Sequence, residues 1–240
     1  MWMICKKEWQ QFFSSLTGYL ALLVYLLLNG LFLFLFPDTN LLDFGYASLA
    51  GYFSLAPWLL LFLIPTITMR SFADEFKLGS FEILKTLPLS PTALVMGKWL
   101  GSFLIVLTAI LPTILYAFSL QALSVTGGID LGAAIGSYLG LGLLAASFTA
   151  IGIAASSFTN NTVLAFIAGA FVAFLLYNGF EAISKLSAFS NGLDYHIEML
   201  GIKFHYRSIS RGVIDLRDAI YFLGLTALFL LITRKNIAQR

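Results

Sequence analysis

Leu16 to Phe36 is a run of 21 residues in which the strongest polar group is Asn29. A helix of that length crosses a hydrocarbon core of about 30 Å. Inside lipid every backbone N–H and C=O must be paired within the protein, which leaves helices or a closed barrel. Comparable runs recur at Tyr52 to Met69, Thr92 to Leu120, Leu131 to Ser156 and Thr162 to Phe180, with a shorter one at Ala219 to Thr233. Only 11% of the chain is charged, against about 25% in soluble domains. The expected fold is an all-α integral membrane protein, one transmembrane domain over residues 1–240 with six transmembrane helices. The first run exceeds the roughly 7–15-residue core of a signal peptide, and no small-residue cleavage site closely follows it, so it reads as a retained anchor.

The spans carry distinct marks. Pro57 and Pro65 interrupt the second and leave carbonyls without their helical donor, which predicts a kinked helix packed against neighbours. Pro112 predicts a bend in the third, which is long enough to tilt. Gly132, Gly136 and Gly140 recur every four residues in the fourth, with Ala145, Ala146 and Gly152 beyond, so backbones can approach it closely. Before the first span, residues 1–15 place Trp2, Cys5, Trp9 and Phe12 at spacings of three and four, with Lys6, Lys7, Glu8, Gln10 and Gln11 in other directions. That pattern predicts an N-terminal interfacial helix. Cys5 is the only cysteine, which excludes an intrachain disulfide.

Six spans put both termini on one side. With that side cytoplasmic, nine of the fourteen Lys and Arg lie inside, and the short outer loops carry only Asp38, Asp43 and Asp130. The positive-inside rule therefore predicts cytoplasmic N- and C-termini. Residues 181–218 become an extracytoplasmic segment before the last span. In it, Ile209, Val213 and Leu216 predict a short helix at the outer interface, capped by Ser208 or Ser210.

Seven charged residues are gathered between the second and third spans. Arg70, Asp74, Glu75, Lys77, Glu82, Lys85 and Lys98 fall within 29 residues. Ser71 to Leu87 reads as one helix, with Phe72, Phe76, Ile83 and Leu87 on a stripe and the charges largely off it. Arg70–Asp74 and Glu82–Lys85 are spaced to pair on its surface, and Pro88 and Pro91 stop it. A membrane protein that holds such a helix in the cytoplasm presents it to something in the water.

Several activities are disfavoured. The spans hold almost no ionisable side chains, which counts against an ion-coupled secondary transporter. No nucleophile–base pair or metal set lies at membrane depth. His196 and His205 fall in the outer segment, where Asp194, His196 and Glu198 alternate, but without the spacing of a known metal site; no metal ligand is assigned. No Walker A pattern occurs. A net charge of +2 gives no reason to expect nucleic acid. The bilayer is the one partner composition demands.

At Arg70–Lys98 the sequence resembles the ABC-2 type permeases, the membrane subunits of a class of ATP-driven transporters. Their pattern is an acid, Gly-Thr-x-Glu-x-Leu, Leu-Pro-x-Ser and Gly-Lys. Here it stands as Glu75, then Gly79-Ser80-Phe81-Glu82-Ile83-Leu84, then Leu87-Pro88-Leu89-Ser90, then Gly97-Lys98, with Ser80 for the usual Thr. Phe204 to Asp218 is similar to the region before the last span in gliding-motility-associated permeases called GldF. The resemblance implies a cytoplasmic coupling helix at 71–87 that docks on a separate ABC ATPase subunit, GldA-like, through Asp74, Glu75, Lys77, Gly79, Ser80, Glu82 and Lys85. It implies a second, smaller cytoplasmic contact at Thr159, Asn160 and Asn161. The chain itself would bind no cofactor and catalyse nothing, ATP and Mg residing in the partner. Two permease copies, or one with a related membrane subunit, would match two ATPases, with a membrane-anchored auxiliary protein bearing an extracytoplasmic domain, GldG-like, beside them. The setting implied is the bacterial cytoplasmic (inner) membrane. The work implied is export, or mechanical action on an extracytoplasmic partner in gliding motility. The alternatives are an exporter of a drug, lipid or polysaccharide, or an ion-coupled secondary transporter.

Overall fold

The computed structural model describes residues 1–36, 48–86, 90–124, 128–186, 193–213 and 215–240. The expected stops at Pro37–Asn40 and Leu87–Leu89, the acids Asp38 and Asp43, and Gly127 and Ile214 lie outside them. The described residues are helical throughout, without strands, and six helices are long and apolar enough to cross a membrane.

The chain opens with α1 (Trp2–Phe13) and turns at Ser14–Ser15 into α2 (Leu16–Phe34), the first span. Ser15 caps α2 by accepting from the Gly18 N–H, one of the donors that a helix start leaves open. The second span is α3 (Ala50–Thr68), and it runs on through Met69 into α4 (Arg70–Lys77). Then come α5 (Ser80–Thr86) and α6 (Pro91–Ile110). Ser90 caps α6 and Pro91 takes the first-turn place where a missing N–H costs nothing. At Pro112, where the sequence predicts a bend, the helix tightens into a 3-10 turn, Leu111–Thr113, before α7 (Ile114–Leu123).

The fourth span, α8 (Leu131–Phe158), is capped by Asp130, and the fifth begins at α9 (Thr162–Phe174) under Asn161. A π turn over Leu175–Gly179 joins α9 to α10 (Phe180–Ser184). Two short helices, α11 (Leu193–Glu198) and α12 (Ile202–Ile209), precede the last span, α13 (Leu216–Gln239), capped by Asp215. That span is longer than the expected Ala219–Thr233. It continues through Arg234 and Lys235, both good helix formers, because Ile237 is buried and Asn236 reaches Ser157.

The bundle is built around α8. Of its most apolar window 78% is buried, against 22% for α2 and α13, so α8 is the axis and those two lie at the periphery. The small residues explain this. A Cβ at Gly140 would strike Ile209 of α12, and one at Gly152 would strike Thr68 of α3, so both neighbours lie closer than a side chain allows.

The prolines of α3 are used as well. Pro57 cannot donate to the Phe53 carbonyl, and that carbonyl accepts the Tyr206 hydroxyl at 2.9 Å. α12 is thereby pinned to the core, with Ile202, His205, Tyr206 and Ile209 buried. The expected interfacial helix over Phe204–Asp218 is thus displaced. The helix ends where its cap was expected to begin, Ile209 is buried, and Val213 and Leu216 are exposed.

Candidate functional site

The charged stretch is two helices rather than the single one expected over Ser71–Leu87. The break falls at Leu78–Gly79, where Gly79 takes φ +68, a left-handed conformation that only glycine adopts without strain. The expected stripe splits accordingly: Phe72 is fully buried and stacks on Phe76, while Ile83 is exposed on α5. Phe81 becomes the buried anchor of α5 and meets Phe76 edge to face, with ring centroids 4.8 Å apart.

The inner face of α4 carries the main surprise. Glu75, expected at the solvent-facing surface, is buried with a side chain 11% exposed. One of its oxygens accepts from Lys7 of α1 at 3.0 Å and from Lys98 of α6 at 2.9 Å. The Lys98 ammonium, 1% exposed, also donates to Glu8 at 2.7 Å and to the Ser71 carbonyl at 2.6 Å. Its three N–H groups therefore meet three oxygens from α1 and α4, which satisfies a cation that could not otherwise be buried. The Phe72 ring lies 5.0 Å from the same ammonium.

The approach of α1 that brings Glu8 to Lys98 depends on Gly97 and Gly101. A Cβ at Gly97 would lie 2.8 Å from Ile4 Cβ, and one at Gly101 2.8 Å from Glu8 Cβ. So Gly97-Lys98 is a unit, a gap for the α1 backbone and a cation inside it. The buried side of α1 is Ile4 and Cys5, while Trp2 is exposed. Burial, with a smaller push from Glu8, holds the Cys5 thiol above its ordinary value.

α4 is held from a third side. Its first N–H groups, on Phe72 and Ala73, donate to Ser156 Oγ of α8 at 3.0 and 3.1 Å, and that hydroxyl donates to the Met69 carbonyl. A side chain from another span thus supplies the cap that Met69 cannot. Arg70 donates to Thr17 of α2 rather than pairing with Asp74, and Lys85 lies over the Phe81 ring. The last residue, Arg240, places its guanidinium 4.1 Å above Phe76 and bonds Asn160 at 3.2 Å. α1, α4, α5, residues 159–161 and the end of α13 therefore gather at one end of the bundle. The outward surface there is Lys77, Leu78, Gly79, Glu82, Ile83 and Lys85, with Asn160 and Asn161; Asp74, Ser80 and Thr159 are half-buried beside it.

Of the sequence-expected contact residues, then, Glu75 turns inward and the rest stay at or near the surface. Lys98, Glu8, Lys7, Ser156 and Arg240 are the members that the sequence reading did not assign. The signal for Lys98 was its place in the Gly97-Lys98 element of the family pattern, with Gly101 four residues beyond Gly97.

The opposite end has its own polar cluster. Glu181 pairs with Lys185, Lys203 and Arg207, and Arg207 reaches Glu198. His205, which falls in the outer segment, is buried. Its ring nitrogens lie 2.6 Å from Asp218 and 2.9 Å from the Met199 carbonyl. Among the described residues no three His, Cys, Asp or Glu side chains come together as a metal site.

Six spans around a small-residue axis, with a charge-locked amphipathic element at one end, define a multi-pass membrane protein. A family model described as ABC-2 family transporter protein matches residues 37–195, more than half of the chain. No curated protein matches it. The chain belongs to the ABC-2 transporter family and is a membrane permease component of an ABC transporter.

Proposed function

We propose that α4 and α5 are the coupling element through which a separate ABC ATPase drives this permease. The observation that supports this most is the two-sidedness of the element. Its inner face is tied to α1, α6 and α8 by Glu75, Lys98 and Ser156, while its outer face offers Lys77, Glu82, Ile83 and Lys85 to the surroundings. Breaking one partner from a buried ion pair costs about 3–5 kcal/mol. A displacement of α4 is therefore passed to the spans rather than absorbed by slack. Residues Thr159, Asn160 and Asn161, of which Asn160 accepts from Arg240, form the smaller second contact.

On this reading the coupling end is cytoplasmic, as are both termini, and the membrane is the bacterial inner membrane. ATP and Mg belong to the partner. Two permease copies, or one copy and a related membrane subunit, face two ATPases. The likeness of Phe204–Asp218 to GldF-type permeases favours work on an extracytoplasmic partner in gliding motility, with GldA-like and GldG-like subunits. Export of a drug, lipid or polysaccharide is the second reading, and it rests on the same family membership.

The test is reconstitution. The purified chain alone should hydrolyse no ATP, and adding the partner ATPase should give a hydrolysis rate that differs from that of the ATPase alone. Hydrolysis by the permease alone, surviving removal of every contaminant, would sink the proposal. So would a partner rate that ignores the permease.

A further inference from the structure

On the lipid-facing side of the bundle, α6 and α13 leave a cavity of about 360 Å³ between them. Its walls are apolar: Val95, Met96 and Trp99 from α6, and Leu223, Ala227 and Leu230 from α13. The Trp99 indole N–H is turned away from the lipid side, donating to the Ala146 carbonyl of α8 at 3.1 Å, so the ring offers the groove an apolar surface. At one end stand Thr92 and Arg234, both exposed. Arg234 makes no hydrogen bond or ion pair with any described residue.

The dimensions select an occupant. From Leu223 to Arg234 is eleven residues, about 16 Å of helix at 1.5 Å per residue. That is about half of a hydrocarbon core of roughly 30 Å, the depth of one leaflet. Thr226, midway along the groove, has its hydroxyl tied to Ser147 and the Phe222 carbonyl; the other polar groups sit at the end where a headgroup would be, and the charged one there is a guanidinium, which binds phosphate oxygens in a fork. We propose that the groove between α6 and α13 is a binding site for one anionic phospholipid of the leaflet at the Arg234 end. Its acyl chain lies along Trp99, Ala227 and Leu223, and its phosphate lies on Arg234 and the Thr92 hydroxyl. The occupant is held at the joint between the span that carries Lys98 and the span whose end grips Phe76 through Arg240.

Native mass spectrometry of the detergent-purified protein tests this, using phosphatidylglycerol and phosphatidylethanolamine as probes. The wild-type chain should keep one phosphatidylglycerol in preference to phosphatidylethanolamine. Arg234→Gln should lower phosphatidylglycerol retention by at least about tenfold, the weight of one hydrogen-bonded charge. Lys235→Gln, one residue away and exposed, should change it by no more than about twofold. Ala227→Phe, which fills the exposed groove without touching the core, should displace lipids of both kinds. Equal losses from Arg234→Gln and Lys235→Gln would mean diffuse attraction only and would overturn the site. So would retention of phosphatidylglycerol in Ala227→Phe. Rapid self-crosslinking of Ala227→Cys in membranes, with Cys5 replaced by Ser, would also overturn it by putting a second copy in the groove.

Discussion

Replacing Lys98 with Met keeps the unbranched stem, one atom shorter, and removes its charge. In the parent, the ammonium bridges Glu8, Glu75 and the Ser71 carbonyl with almost no solvent contact. The substitution leaves two carboxylates facing each other across an apolar stem. Removing one partner of a buried pair costs about 3–5 kcal/mol. Two features reduce that figure here: Glu75 keeps Lys7, and the Glu8 side chain is still 13% exposed to water. A loss of about 2–4 kcal/mol remains. At roughly 2–4 °C per kcal/mol for a chain of this size, the melting temperature in detergent should fall by about 5–15 °C. Neutralising the stranded acids as well, in Lys98→Met with Glu8→Gln and Glu75→Gln, should restore most of the loss, because a neutral cluster no longer strands a charge. Fluorescence-monitored unfolding reads both numbers. A single variant melting within about 2 °C of the parent, or a triple variant no better than the single, would refute the view that Lys98 ties α4 to α1 and α6.

Two further expectations concern other joints. Tyr206→Phe leaves the Phe53 carbonyl freed by Pro57 without its donor, and a buried unpaired acceptor costs about 1–3 kcal/mol; unchanged unfolding would show that α12 is not pinned there. Cys5 should be slow to alkylate in the folded chain at neutral pH, since it is buried and its thiol is held above its ordinary value by burial and then by Glu8. The folded state binds that proton more tightly than the unfolded one. Its contribution to stability is therefore present below the ordinary thiol range and is lost as pH rises through the raised value. Labelling at neutral pH as fast as in denaturant would contradict both the burial and the sign.

The spans were legible because length and apolar content alone decide them, and the irregular turn at Pro112 and the close packing of α8 followed from single residue types. What escaped depended on contacts distant in sequence. Glu75 stands among charges, and nothing local distinguishes a solvated acid from one that meets Lys98 and Lys7 from two other helices. Phe72 and Phe76 are spaced as a continuous helix would require, so Gly79 read as helix interior until its positive φ was seen. The end of α13 read as a flank because Arg234 and Lys235 are polar, whereas Asn236 and Arg240 hold the helix there through Ser157, Asn160 and Phe76. Nothing near His205 and Tyr206 in sequence marks their partners, Asp218 and the Phe53 carbonyl. Lys77, Glu82 and Lys85 are exposed as expected, because exposure of a charged helix face is a local pattern and a buried lock is not.

Coupling is tested most directly at Glu82, which is exposed on α5 and remote from the Lys98 cluster. Within the helix, reversing one exposed charge costs at most about 0.5–1 kcal/mol, so Glu82→Lys should be inserted in normal amounts. At a docked partner, loss of a well-placed charge contact costs about 2–5 kcal/mol, a thirtyfold to several-thousandfold weakening at roughly 1.4 kcal/mol per tenfold. The measurement is the amount of ATPase that co-purifies with the permease, normalised to permease in the membrane, for Glu82→Lys and for Arg211→Glu, exposed on the connection between α12 and α13. Coupling through α5 predicts that Glu82→Lys sheds the ATPase while Arg211→Glu keeps it. A Glu82→Lys permease that falls in amount yet keeps its full share of ATPase would show that this element holds the fold together and does not couple it.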